Sequence, residues 1–138
     1  MKKNIIIYFC VLLLNIYGCS DKYAPPENLS ADVYNLGMEI LSVVDELLDM
    51  TITVDSAVAE VENLYIKFDY FDELNGWEFS LQVKSSILKS TLTSFRFKVN
   101  YIIRWGYDPT PETGATYDDI LEGRNKLAEA LKQPLRKK

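Results

Sequence analysis

Three groups of closely spaced carboxylates are the first residues in this sequence that could do chemistry: Asp45, Glu46 and Asp49; Asp69, Asp72 and Glu73; Asp118, Asp119 and Glu122. A calcium loop sets oxygen ligands at alternate positions around a sharp glycine turn. The first two groups lack that layout and read as solvated acidic faces. The third could supply a carboxylate pair for glycoside cleavage. Its members, however, follow Thr116 in the first turns of an expected helix, where capping and the helix dipole account for them. Serine and lysine offer a second chemistry. Ser85, Ser86 and Lys89 can share a helix face, and a lysine can activate a serine nucleophile. No glycine-rich oxyanion turn flanks them. Histidine is absent from the chain, which removes the commonest general base and metal ligand. The two cysteines, Cys10 and Cys19, both lie near the N-terminus. These residues predict no catalytic set, no metal centre and no cofactor.

The elements that would position these groups read as helices. Val33, Leu36, Ile40, Val43 and Leu47 step by three and four, with Val44 and Leu48 widening the stripe. Ser30 is placed to cap this helix, and Asp32 sits in its first turn. After a short break, Val54, Val58, Val61, Tyr65 and Phe68 repeat at the same spacing, behind Thr53 as N-cap. Asn75-Gly76 reads as a stop, because both residues tolerate the left-handed conformation that ends helices. Two helices joined so tightly fold back as an αα-hairpin. The segment from Trp77 to Trp105 fits two patterns. Val83, Ile87, Leu92, Phe95, Val99 and Ile102 suit a helix. Phe95, Phe97, Val99 and Tyr101, alternating with Arg96, Lys98 and Asn100, suit a strand. Phe79, Leu81 and Val83 are the only other period-2 run that could pair with it. Gly106 to Ala115 is a loop with two prolines and two glycines. Thr116 then opens a last helix whose stripe is Tyr117, Ile120, Leu121, Leu127, Ala128 and Leu131, with Gln133-Pro134 at its end. The fold expected is all-α, a small bundle of four helices at about 30–50, 54–74, 79–104 and 116–132. The alternative is α+β, with a hairpin at 79–83/95–103.

Charge is unevenly placed. Residues 19–78 carry 14 acids against Lys22 and Lys67, whereas residues 79–107 carry Lys84, Lys89, Arg96, Lys98 and Arg104 and no acid. That partition favours complementarity within the molecule, and net acidity argues against nucleic acid as a partner. If the third segment is helical, Phe97 and Tyr101 cannot share the face of Phe95, Val99 and Ile102. Together with Arg104, Trp105 and Tyr107 they form a candidate contact patch suited to protein, glycan or lipid headgroup.

The first residues supply an address. Lys2 and Lys3 precede an apolar run from Ile5 to Ile16, too short to span a bilayer and of the length of a secretory signal core. The run ends in Ile16-Tyr17-Gly18-Cys19, which resembles the lipobox of bacterial lipoprotein precursors: a branched aliphatic three places before the cysteine and a small residue directly before it. The resemblance implies cleavage between Gly18 and Cys19, a diacylglyceryl group on the Cys19 sulfur, and attachment outside the cytoplasm to the cell membrane or the outer membrane. Residues 1–18 would be a signal peptide, 19–28 a lipidated cysteine with a polar tether stiffened by Pro25-Pro26, and 29–138 a single helical domain. Farther on, "YDDILEGRNKLAEAL" resembles small helical proteins of gut Firmicutes, a likeness that implies no activity.

The sequence therefore leads to a lipid-anchored envelope protein that binds and does not catalyse. Its expected partners are the membrane, through Cys19, and an envelope protein or glycan. Two rivals are an immunity or phage-exclusion protein of the envelope, and a cell-wall hydrolase using the Asp118 carboxylate.

Overall fold

The computed structural model describes residues 25–138. The expected signal peptide, Cys19 and the first part of the tether lie outside these residues. Four helices follow in order: α1 Ala31–Leu48, α2 Val54–Ile66, α3 Gly76–Trp105 and α4 Tyr117–Ala130, with a 3-10 turn, Lys67–Tyr70, after α2. No strand occurs among the described residues. The all-α reading holds, and the hairpin 79–83/95–103 does not form.

Helix α1 buries the largest number of residues. Nine of its residues are buried, including the whole stripe from Val33 to Leu48. It packs against α2 and α4 on its sides and meets α3 across the bundle. Gly37 permits that meeting. A Cβ there would stand 2.9 Å from a methyl of Leu131 and 3.0 Å from one of Leu81. Helix α2 contributes Ala57, Val58 and Val61, and the 3-10 turn adds Phe68. Helix α4 contributes Ile120, Leu127, Ala128 and Ala130, with Leu131 just beyond it.

Helix α3 buries a different face from the one its β-branched residues suggest. Leu81, Ser85, Leu88 and Leu92 point into the core, and Phe95 packs at its edge. Val83, Ile87 and Ile102, expected in the stripe, are exposed. The buried residues step by three and four, so helical burial wins over a local strand preference of ~1 kcal/mol or less.

Two boundaries also differ from expectation. Helix α2 ends at Ile66 instead of running to 74, and α3 begins at Gly76 instead of 79. Asn75-Gly76 is a start and not a stop. The Asn75 Oδ1 accepts hydrogen bonds from the N–H groups of Trp77 (3.0 Å) and Glu78 (3.2 Å), and a Glu78 carboxylate oxygen accepts from the Asn75 N–H at 3.1 Å. This capping box satisfies donors that a helix start leaves orphaned. The other Glu78 oxygen accepts from the Ser30 N–H at 3.1 Å, so one buried carboxylate ties together the beginnings of α1 and α3.

At 30 residues, α3 is about 45 Å long and outruns α2 and α4, each less than half its length. Its last turns have no helix beside them for their full length. The 106–116 loop folds back along one flank instead. Lys98 pairs with Asp108 at 2.9 Å, and the Ala115 N–H lies 3.5 Å from the Ser94 hydroxyl.

Candidate functional site

The protruding end of α3 brings together all five residues of the expected contact patch. Phe97, Tyr101 and Trp105 are spaced by four, one helical turn apart, so their rings follow one another along the helix. Ring centroids are 6.0 Å apart for Phe97 and Tyr101 and 6.3 Å for Tyr101 and Trp105. Tyr107, carried back by the left-handed turn at Gly106, sets its ring edge-on to Tyr101 at 5.3 Å. The two phenol oxygens are 2.6 Å apart, and this hydrogen bond raises the Tyr101 hydroxyl above the ordinary phenol range. The Arg104 guanidinium carbon lies 5.1 Å from the Trp105 ring centroid, a cation–π contact. Phe97 is 60% exposed and Trp105 58%. These rings form a continuous aromatic surface with a cation on it and no carboxylate within it. Such a surface can stack on flat apolar groups and attract anions.

The other candidate residues are occupied differently. Asp119 closes the cap of α4: its carboxylate accepts from the Thr116 N–H at 2.6 Å and from the Thr116 hydroxyl at 2.7 Å. Those bonds hold its carboxyl below the usual range. Asp118 pairs with Lys138 at 2.7 Å, and Glu122 pairs with Lys126 one turn on. All three border a 530 Å³ groove shared with the C-terminal tail, with each carboxylate already holding a partner. Ser85 lies in the core and not in a site. Its hydroxyl is fully buried and has no hydrogen-bond partner. Lys89 sits 4.2 Å over the Tyr65 ring, so the two do not form a serine–lysine pair. No group of three or more acidic, histidine or cysteine side chains among the described residues could hold a metal ion. Gly18 and Cys19 lie outside the described residues.

The acidic face at Asp45 and Asp49 is not simply solvated. Arg124, itself buried, grips the Asp45 carboxylate with two bonds of 2.9 Å. It also donates to the Pro134 carbonyl at 2.6 Å. Arg136 reaches Asp49 and holds its carboxyl below the usual range. The Asn125 side chain makes two bonds of 2.9 Å with the Arg136 backbone. This network fastens the C-terminal tail across α1 and α4. Sequence reading missed it because the partners are 79 and 87 residues apart and no local pattern joins them.

Sequence reading also missed a second exposed apolar group on α3: Phe79 (58%), Val83 (40%) and Ile87 (56%). Their spacing of four carried the signal, but Val83 and Ile87 were assigned inward. No helix among the described residues is long and apolar enough to cross a membrane. Against protein-family models, curated proteins and solved structures, the chain shows no match.

Proposed function

We propose that this chain is a lipid-anchored protein of the bacterial cell envelope whose helical body is a binding module and not an enzyme. Cys19, following the apolar run and Gly18, is the anchor; the cluster of Phe97, Tyr101, Arg104, Trp105 and Tyr107 is the contact site. One observation carries the binding part: four aromatic residues and an arginine stand together on the end of a helix longer than its neighbours, with Phe97, Trp105 and Tyr107 mostly exposed. Contiguous exposed aromatic surface of this kind marks interaction sites in soluble domains. The carboxylates that a hydrolase would use already serve caps and ion pairs.

The reading is tested in cells fed an alkyne fatty acid. The expected result is a labelled chain in the membrane fraction, and loss of label with Cys19→Ser. The contact site is tested by crosslinking from position 97 in the same cells. Phe97→Ser should leave helicity unchanged, since the residue is mostly solvent-exposed, and should abolish the crosslinks. If Phe97→Ser unfolds the domain, the ring belongs to the core and the site is lost.

A further inference from the structure

The two apolar groups on α3 fall on one line. Phe79, Val83 and Ile87 are four apart; Phe97 follows ten residues later; Tyr101 and Trp105 are again four apart. The 18 residues from Phe79 to Phe97 make five turns at 3.6 residues per turn, so both triplets occupy the same arc of about 80°. The side chains are exposed apart from Tyr101, which is half-buried. Three small serines, Ser86, Ser90 and Ser94, separate the triplets. The cations line this arc on both sides: Lys84 and Lys98 on one flank, and Lys89, Arg96 and Arg104 on the other. Among the described residues only Lys98 of the five is neutralised by an ion pair. The one acid on α3, Glu78, is buried in its capping role. Tryptophan marks each end: Trp77 at the first turn, 47% exposed, and Trp105 at the last.

We propose that the outer face of α3 lies along an anionic bilayer surface, which makes lipid the partner of the aromatic cluster. The proposal rests on the envelope reading above. An apolar arc flanked by cations, with tryptophan and tyrosine among its apolar residues, is the pattern of an interfacial helix. Its apolar face enters the boundary between headgroups and acyl chains, and its cations meet lipid phosphates. Charge selects this occupant over a second copy of the chain, because pairing two such faces would set four cations that hold no ion pair, Lys84, Lys89, Arg96 and Arg104, against the same four. Shape agrees: the face is a convex ridge about 45 Å long, which a bilayer can receive without a matching groove. Helix α1, with Asp32, Glu39, Asp45 and Glu46, packs on the inner side of α3; the acids that touch α3 from other elements are Asp108, on Lys98, and Asp55, 3.4 Å from the Asn100 amide. The tether points the same way. The Asn75 side chain donates to the Asn28 carbonyl at 3.0 Å, so the chain arrives at the start of α3. From Cys19 to Pro25 is six residues, a reach of at most ~20 Å.

The two tryptophans of the chain are both on this helix, so they report the contact directly. The whole chain, purified from cells, is reconstituted into vesicles of phosphatidylglycerol and phosphatidylcholine in equal parts, or of phosphatidylcholine alone, with bromine on the acyl chains. Trp77→Phe and Trp105→Phe leave one reporter each. The expected result is quenching of both tryptophans, at least twofold stronger on the anionic vesicles and reduced by high salt. Phe79→Ser combined with Phe97→Ser should remove Trp105 quenching while helicity is kept. Quenching of Trp77 alone would overturn the proposal, because only the tethered end would then touch lipid. Equal quenching on both vesicle types would overturn the charge selection. An acidic protein that protects Trp105, with no quenching on vesicles, would give the face to that protein instead. Chains that sediment with vesicles while both tryptophans stay unquenched would keep the anchor and remove this proposal. Quenching in chains that carry no fatty acid on Cys19 would keep this proposal and remove the anchor.

Discussion

Glu78 shows how much one side chain can hold. It is buried and accepts from two backbone N–H groups at the starts of different helices. The N–H of Asn75, first, and the bonds from Ser30 hold its carboxyl below the usual range. A carboxyl depressed in the folded state adds stability that is complete above its unfolded value, about 4.3, and fades as pH falls through the folded one. Thermal melts should therefore lose midpoint temperature below that pH. Glu78→Gln should flatten part of the loss and cost about 1–2 kcal/mol at neutral pH, since an amide has only one accepting oxygen. Ser85 is the opposite case. Its buried hydroxyl has no partner, and alanine is the better helix former. Ser85→Ala should raise stability by about 1 kcal/mol in urea melts. Arg124→Met keeps the bulk and deletes the grip on Asp45 and Pro134. It should cost about 2 kcal/mol and make the C-terminal tail an early target for trypsin.

Among the elements, α1 was fully legible, because its stripe at three-and-four spacing is what the core buries. The capping boxes at the starts of α3 and α4 differ in that respect. Thr116 was readable as a cap from its spacing to Asp119, whereas Asn75-Gly76 has the composition of both a start and a stop. Only the position of Glu78, three residues on, argues for a start. Helix ends were harder to see for a physical reason. Both α1 and α4 end with their next-to-last bonds wrapped back: Thr51 N–H to Glu46 carbonyl at 2.9 Å, and Gln133 N–H to Ala128 carbonyl at 2.7 Å. The residues in the left-handed conformation there are Met50 and Lys132, not glycine, so the usual sequence mark is missing. Met50→Gly removes the strain of a Cβ at positive φ, and should raise stability by up to about 1 kcal/mol in chemical denaturation. Gly37→Val, placed where α1 meets α3, should do the reverse and cost about 2 kcal/mol by overpacking Leu81 and Leu131. The stripe of α3 was legible only in part. Leu92 and Phe95 face the core and Val99 is half-buried, whereas Val83, Ile87 and Ile102 are exposed and Leu81, Ser85 and Leu88 take the inward positions, so hydrophobic type alone chose the wrong side in the first half of the helix.

At the scale of the whole molecule, the uneven charge has two roles. Some of it pairs across the fold: Asp45 and Asp49 hold the basic tail, and Asp108 holds Lys98. The remainder leaves α3 with cations that no acid neutralises beside an exposed apolar arc. That division was visible as a charge imbalance in the sequence. Its geometry was not, because it depends on which face of α3 the other helices cover. In the arrangement we propose, the helical domain is held at a membrane by a short tether and rests there on its longest helix. The most direct measurement is the mass of the N-terminal peptide of the protein isolated from cell envelopes. The expected result is a chain that begins at Cys19 and carries a diacylglyceryl group on its sulfur. A free thiol at Cys19, with the leader still attached or cut elsewhere, would contradict it.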